Sequence, residues 1–179
     1  MRRAVFLDRD GVINRAIVRD GKPYPPKGLD ELEILPDVFT ALSSLHNAGF
    51  ILIVVTNQPD VSRGLMTRAV VEEINNFLGS VLPIDEFRTC YHDADDGCDC
   101  RKPLPGALLD AARQYEIDLF SSYMVGDRWR DTEAGRRAGC KTLFVDYGYA
   151  EEQPEFVDFR VSSLYEASQV ILEKWYEEN

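Results

Sequence analysis

Apolar residues follow two rhythms along this chain. Uninterrupted runs fall at 5–7, 50–55 (FILIVV) and 123–125, and Thr142 to Val145 gives another strand. A run with no polar alternation predicts a strand buried on both faces, as in a parallel sheet. Between these runs the apolar positions recur at helical spacing. Val38, Ala41, Leu42 and Leu45 follow Asp37, a candidate cap, and lead to Gly49, a plausible stop. A second helix is predicted over 67–78. A further strand approaches Cys90 through Phe87. Pro105 suits the first position of a helix through Tyr115, with Leu108, Leu109 and Ala112 on its buried face. A helix over 131–138 stops at Gly139. Ser163 and Glu166 match a capping box ahead of Leu164, Ala167, Val170, Ile171 and Trp175.

Strands alternating with helices predict an α/β fold, a three-layer Rossmann-like arrangement around a mainly parallel central sheet. No repeat and no linker breaks the pattern, so 1–179 is expected to form one domain. The segment 12–35 carries Pro23, Tyr24, Pro25 and Pro26 and is predicted as a loop over the end of the first strand. Formally it also contains P-x-x-P, a motif that partner domains bind.

Composition changes this picture little. The apolar fraction of 45% and charged fraction of 28% are those of an ordinary globular chain. A formal charge of -11 argues against a nucleic-acid surface, though not against local binding of a small phosphate. No apolar run approaches the ~20 residues that span a bilayer, and Asp8 and Asp10 interrupt the first one, so neither membrane span nor signal peptide is expected. A cytoplasmic location follows by default.

The first strand runs straight into Asp8-Arg9-Asp10-Gly11. Carboxylates at the carboxyl end of a parallel strand sit where open α/β sheets bind ligands. Two acids so spaced can share a divalent cation such as magnesium, or divide a reaction between nucleophile and acid/base. The plainer reading is a D-G turn with a capping Asp. An EF-hand loop fails, because counting from Asp8 the sixth place is Ile13 and the twelfth is Arg19. The acid pair has company: Thr56 ends the second run, Arg101 and Lys102 precede the Pro105 helix, and Asp127 follows the 123–125 strand. A parallel sheet brings all of them to one edge, where hydroxyl, lysine and a third aspartate suit a phosphate and a magnesium ion.

These four motifs, DRDG from Asp8, TNQ from Thr56, RKP from Arg101 and GDRWRD from Gly126, resemble those of the haloacid dehalogenase superfamily of phosphatases, over nearly the whole chain. The resemblance implies Asp8 as nucleophile, Asp10 as general acid/base, and Thr56 and Lys102 as holders of the phosphoryl group. It implies magnesium bound by the Asp8 carboxylate, the Asp10 backbone carbonyl and Asp127. Asp131 would support the metal or its waters, or cap its helix, or both. The segments 11–36 and 57–101 are too short for a cap domain, so a capless member is implied. Specificity would then lie in 14–27, in 58–64 and in the cysteine loop, with Asn57, Arg63 and Arg101 as substrate-binding candidates.

Cys90, His92, Cys98 and Cys100 read C-x-H-x5-C-x-C. Three thiolates and an imidazole satisfy tetrahedral zinc with no open position, a structural site; the alternative is a loop of reduced thiols. Cys140 reads as a buried small hydrophobe. A cysteine loop leading into RKP resembles the zinc-containing branch that includes heptose bisphosphate and histidinol-phosphate phosphatases. FLDRDGVIN and Arg63-Gly64 look more like the heptose enzymes. Pro59 and Asp60 depart from the serine and glycine usual there. Arg63 either pairs with a second phosphate or is a solvated arginine. The expectation is a magnesium-dependent phosphatase, working as a monomer on a small phosphorylated metabolite, with heptose 1,7-bisphosphate first and histidinol phosphate as rival. An inactive zinc-stabilised binding module is the reading from another class, and the full acid, threonine and lysine set argues against it.

Overall fold

The computed structural model describes residues 1–177. Its strands are β1 (Ala4–Leu7), β2 (Ile17–Arg19), β3 (Lys22–Tyr24), β4 (Ile51–Asn57), β5 (Glu86–Cys90), β6 (Tyr123–Gly126), β7 (Lys141–Val145) and β8 (Phe159–Val161). Its helices are α1 (Val38–Asn47), α2 (Arg68–Val81), α3 (Gly106–Tyr115), α4 (Trp129–Ala138) and α5 (Leu164–Glu177). Six strands form one sheet in the order β5-β4-β1-β6-β7-β8, and every neighbouring pair is parallel.

Strand alternation explains why the apolar runs lack polar members. In β1, Val5 and Leu7 enter a core built with α1, α2 and α5, while Ala4 and Phe6 enter a second core built with α3 and α4. Both faces of the strand are covered, so every position must be apolar. The same division runs through β4, where Leu52 and Val54 face one core and Ile51, Ile53 and Val55 the other. Cys140 is buried in the second core, which pushes its thiol up to about 12. Among the described residues, no helix is long and apolar enough to cross a membrane.

The proline-rich segment departs from the expected loop. β2 and β3 form an antiparallel hairpin around Asp20-Gly21, which both have positive φ (51° and 73°). That is the D-G turn whose twist suits a two-residue hairpin. Pro23 is tolerated opposite Val18 because a two-stranded ribbon consists of edges only. Pro23 and Pro26 are both buried, so the P-x-x-P match presents no free polyproline surface. Asp37 occupies the position before α1, but with φ of 60° and no side-chain cap bond, so its predicted capping role is not taken up. Thr67 does cap α2, accepting from the Val70 amide. Helix α4 begins two residues ahead of its predicted start, and β8, a short edge strand around the exposed Arg160, has no apolar run to announce it.

Because the sheet is parallel, the carboxyl ends of β1, β4 and β6 meet along one edge, and Asp8, Thr56 and Asp127 stand there together.

Candidate active site

The centre of this edge is a buried charge cluster. Lys102 Nζ lies 2.6 Å from Asp8 Oδ1 and 2.7 Å from Asp131 Oδ1, and its side chain is 1% exposed. Burial alone would depress the ammonium, but Asp131 and Asp8 lift it above the usual lysine range. Burial raises Asp8 to about 7, against the pull of Lys102, and the charges of Asp131 and Asp10 add to the rise. Two-way bonding to Asn57 fixes the Lys102 backbone: the Asn57 amide donates to the Lys102 carbonyl at 3.0 Å and its oxygen accepts from the Lys102 amide at 3.1 Å.

Asp127 is the exception in this cluster. Both of its carboxylate oxygens are buried and neither has a hydrogen-bond partner. Burial, then the charges of Asp8 and Asp131, push its carboxyl well above the usual range, against a weaker pull from the nearby Tyr149 hydroxyl, which falls outside strict hydrogen-bond geometry. One oxygen each from Asp8, Asp127 and Asp131 lie within 4.8 Å of one another. An orphaned buried carboxylate beside two more is the donor set of a hard cation, and it fits magnesium in its preference for oxygen. Gly11 makes the approach possible, because at its φ of 91° a Cβ would stand 1.9 Å from Asp127 Oδ2.

Asp10 is held differently. Its carboxylate accepts from Arg9 at 3.0 Å, from Asn14 at 3.0 Å and from Gln58 at 2.8 Å. Gln58 Nε2 also reaches Thr56 Oγ1 at 2.9 Å, tying the acid to the threonine. Arg9 is fully buried and anchored on Asn75 of α2 at 3.0 Å, and Asn75 in turn donates to Thr89 of β5. Sequence reading named Asp10 and Thr56 but not the side chains that orient them. The period-2 alternation past β4 that puts Gln58 beside Thr56 was the available signal. Asp131, besides its bond to Lys102, accepts from the Arg128 amide at 2.9 Å, so it does stabilise the start of α4.

A cavity of about 330 Å³ opens over Asp8, Asp10, Lys102 and Asp131. One wall is the β2–β3 hairpin with Lys22 to Pro25, another is Asn57, Pro59, Asp60 and Arg63, and Arg101 closes a third side. The start of α4 contributes Arg128 and Arg130, and Glu151 faces them, a side of the cavity that the sequence motifs did not announce. Arg63 lines the cavity but is engaged by Asp93, with bonds of 2.6 and 2.7 Å.

Cys90, His92, Cys98 and Cys100 come together beyond this wall, each offering a ligand atom within 4.8 Å of the others. Cys90 Sγ lies 3.7 Å from Cys98 Sγ and 3.6 Å from His92 Nδ1, Cys100 Sγ is 3.5 Å from the same nitrogen, and the Cys100–Cys90 pair is tighter at 3.1 Å. Zn–S and Zn–N bonds of about 2.3 and 2.0 Å set tetrahedral ligand separations of roughly 3.5–3.8 Å, so the cluster fits a metal held through Nδ1. Burial raises the Cys90 and Cys100 thiols, whereas Cys98 is drawn down against its burial by hydrogen bonding to the Arg101 backbone. Cys140 stands apart.

Known proteins resemble this chain in sequence and in fold. A HAD-hydrolase-like family model matches residues 99–167. The D-glycero-beta-D-manno-heptose-1,7-bisphosphate 7-phosphatase of Bordetella bronchiseptica is 37% identical over 82% of each chain, and that of Escherichia coli K12 is 35% identical over 94% of this chain and 93% of its own. The crystal structure of D,D-heptose 1,7-bisphosphate phosphatase from B. bronchiseptica, complexed with magnesium and phosphate, superposes with a TM-score of 0.80 at 32% identity, covering 96% of this chain and 99% of that one. With its parallel sheet, its acid cluster at the strand ends and these relatives, the chain belongs to the HAD-like family of hydrolases and is one of its phosphatases.

Proposed function

We propose that this phosphatase requires magnesium and removes the 7-phosphate of D-glycero-D-manno-heptose 1,7-bisphosphate. The observation that carries the chemistry is the meeting of Asp8, Lys102 and the partnerless Asp127 in one buried cluster. The substrate comes from the relatives, whose names carry it over most of this chain.

In this reading Asp8 attacks phosphorus, forming an aspartyl phosphate as the sugar oxygen departs. Asp10 gives that oxygen a proton, then takes one from the water that attacks the phosphoenzyme, releasing inorganic phosphate and restoring Asp8. Thr56 and Lys102 hold the phosphoryl oxygens, and the Gln58 bridge keeps Thr56 and Asp10 in register. The Asp8 carboxylate, the Asp10 carbonyl and Asp127 would hold magnesium, with Asp131 beside them. Bound there, the ion neutralises the developing charge on the phosphoryl group. Zinc on Cys90, His92, Cys98 and Cys100 would be structural, since all four positions are filled by protein.

Phosphate release with magnesium, compared between heptose 1,7-bisphosphate and histidinol phosphate, tests the substrate. At least a tenfold higher kcat/KM is expected for the heptose ester, and equal or reversed preference would overturn the assignment. Asp8→Asn is expected to lower turnover by roughly three orders of magnitude while the protein stays folded by circular dichroism.

A further inference from the structure

The catalytic cavity is rimmed by cations, and most of them are already committed. Of Lys22, Arg63, Arg101, Lys102, Arg128 and Arg130, all lining the cavity, Lys102 is shared by Asp8 and Asp131. Arg128 is held bidentately by Glu151, with one bond of 2.9 Å and a shorter second. Arg63 is held bidentately by Asp93. Arg101 donates to the His92 carbonyl at 3.3 Å and stands 3.7 Å from an Asp93 oxygen that Arg63 already occupies. Among the described residues, Lys22 and Arg130 are the two without a carboxylate. Lys22 is exposed on the hairpin, but Arg130 is half-buried.

The position of Arg130 is electrostatically unfavourable. It lies in the first turn of α4, where the helix dipole disfavours a cation. It shares the cavity lining with two other guanidinium groups, those of Arg128 and Arg101. The Trp129 ring lies 5.1 Å from its central carbon, and Glu151 and Asp131 attract it at longer range, but among the described residues no carboxylate takes its fork of donors. An uncommitted guanidinium among like charges in a substrate cavity matches an anion that arrives with the substrate, and its planar fork matches phosphate oxygens.

We infer that Arg130 is a specificity-determining residue that binds the second, non-reacting phosphate of a bisphosphate substrate, with Arg101 and Lys22 flanking it and Arg63 held aside by Asp93. The inference rests on the phosphatase reading above and assigns its distal phosphate to a side chain that none of the four motifs contributes as a functional position.

The test compares heptose 1,7-bisphosphate with the 7-monophosphate of the same heptose, for the wild type, Arg130→Met and Arg130→Lys. The wild type is expected to prefer the bisphosphate. Arg130→Met should lower kcat/KM for it roughly tenfold to hundredfold, mainly through KM, and change the monophosphate less than about threefold. Arg130→Lys should restore part of the preference, keeping the charge without the fork. Equal preference in the wild type and Arg130→Met, with both esters hydrolysed, overturns the inference and leaves the phosphatase reading intact. Equal losses on both esters overturn it as well, since they show a general role. Hydrolysis of neither ester by the wild type overturns the proposed substrate and this inference together.

Discussion

Two clusters in this molecule gather potential metal ligands, and they are built on opposite terms. Asp8, Asp127 and Asp131 stand at strand ends and at the first turn of a helix, all buried, with hard oxygen donors. Cys90 is buried at the end of β5, and His92, Cys98 and Cys100 follow on an irregular, partly exposed loop, with mostly soft donors. The acid cluster contains its own cation, Lys102, which covers Asp8 and Asp131 and leaves Asp127 over. The thiol cluster contains no such cation, and its four ligands complete a tetrahedron by themselves. A site meant to turn over must keep a place open beside its ligands. A site meant to hold a loop must not.

Breaking the first cluster should have the largest effect. Asp127→Asn is expected to cut phosphate release by a hundredfold or more, because the anionic ligand becomes a neutral, weaker one. Its stability should move the other way in metal-free protein, since an uncompensated buried carboxylate is removed. The pH dependence follows from sign. Asp8 at about 7 and Asp127 well above 3.8 bind more protons folded than unfolded, so metal-free wild-type stability rises as pH falls from about 7 toward 4. The advantage of Asp127→Asn in Tm should therefore shrink over that range. Magnesium at a hundredfold excess over Kd should stabilise the wild type by about 2.7 kcal/mol, roughly 5–10 °C in Tm, and the variant far less. Equal magnesium shifts in both proteins would remove Asp127 from the metal site.

Breaking the second cluster should act on stability before chemistry. With Cys98→Ser, zinc content measured on protein purified without added metal should fall from about one equivalent, and Tm should drop by several degrees. Activity per folded molecule should fall less than about tenfold, because Asn57 clamps the Lys102 backbone independently of the cysteine loop. A collapse of kcat as deep as that of Asp127→Asn would show that the loop, and not Asn57, holds the catalytic lysine in place.

The same contrast explains what was legible in the sequence. Asp8, Asp10, Thr56, Lys102 and Asp127 could be read because parallel strands carry local runs to a common edge, so motif order translates into proximity. The cysteine cluster could be read because its ligands are sequence neighbours. Arg9 looked like a spacer between two acids, since its burial depends on Asn75 in α2, far along the chain. The cavity wall at Arg128, Arg130 and Glu151 depends on a loop after β7 folding back onto α4, which no local pattern encodes. The hairpin was available in principle, because Asp20-Gly21 between Ile17-Val18 and Tyr24 is a turn signal, but three nearby prolines outweighed it.

The smallest effect is expected where the two regions touch. Asp93 and Asp96 of the cysteine loop grip Arg63 and Ser62 of the loop after β4, at 2.6–2.7 Å. Asp93→Asn should leave zinc content unchanged and shift Tm and KM only slightly, because such exposed pairs contribute little and Asp96 keeps its bond to Ser62. Chiefly through its bonds to Arg63, Asp93 is held down at about 2, so its contribution is present above 3.8 and lost only as pH falls through about 2. Between pH 7 and 4 the Tm difference between wild type and Asp93→Asn should therefore stay flat, whereas that of Asp127→Asn changes across the same interval. A difference that follows the Asp127→Asn curve would mean that the two clusters titrate as one unit, with the clasp transmitting the charge state of the buried acids to the cysteine loop.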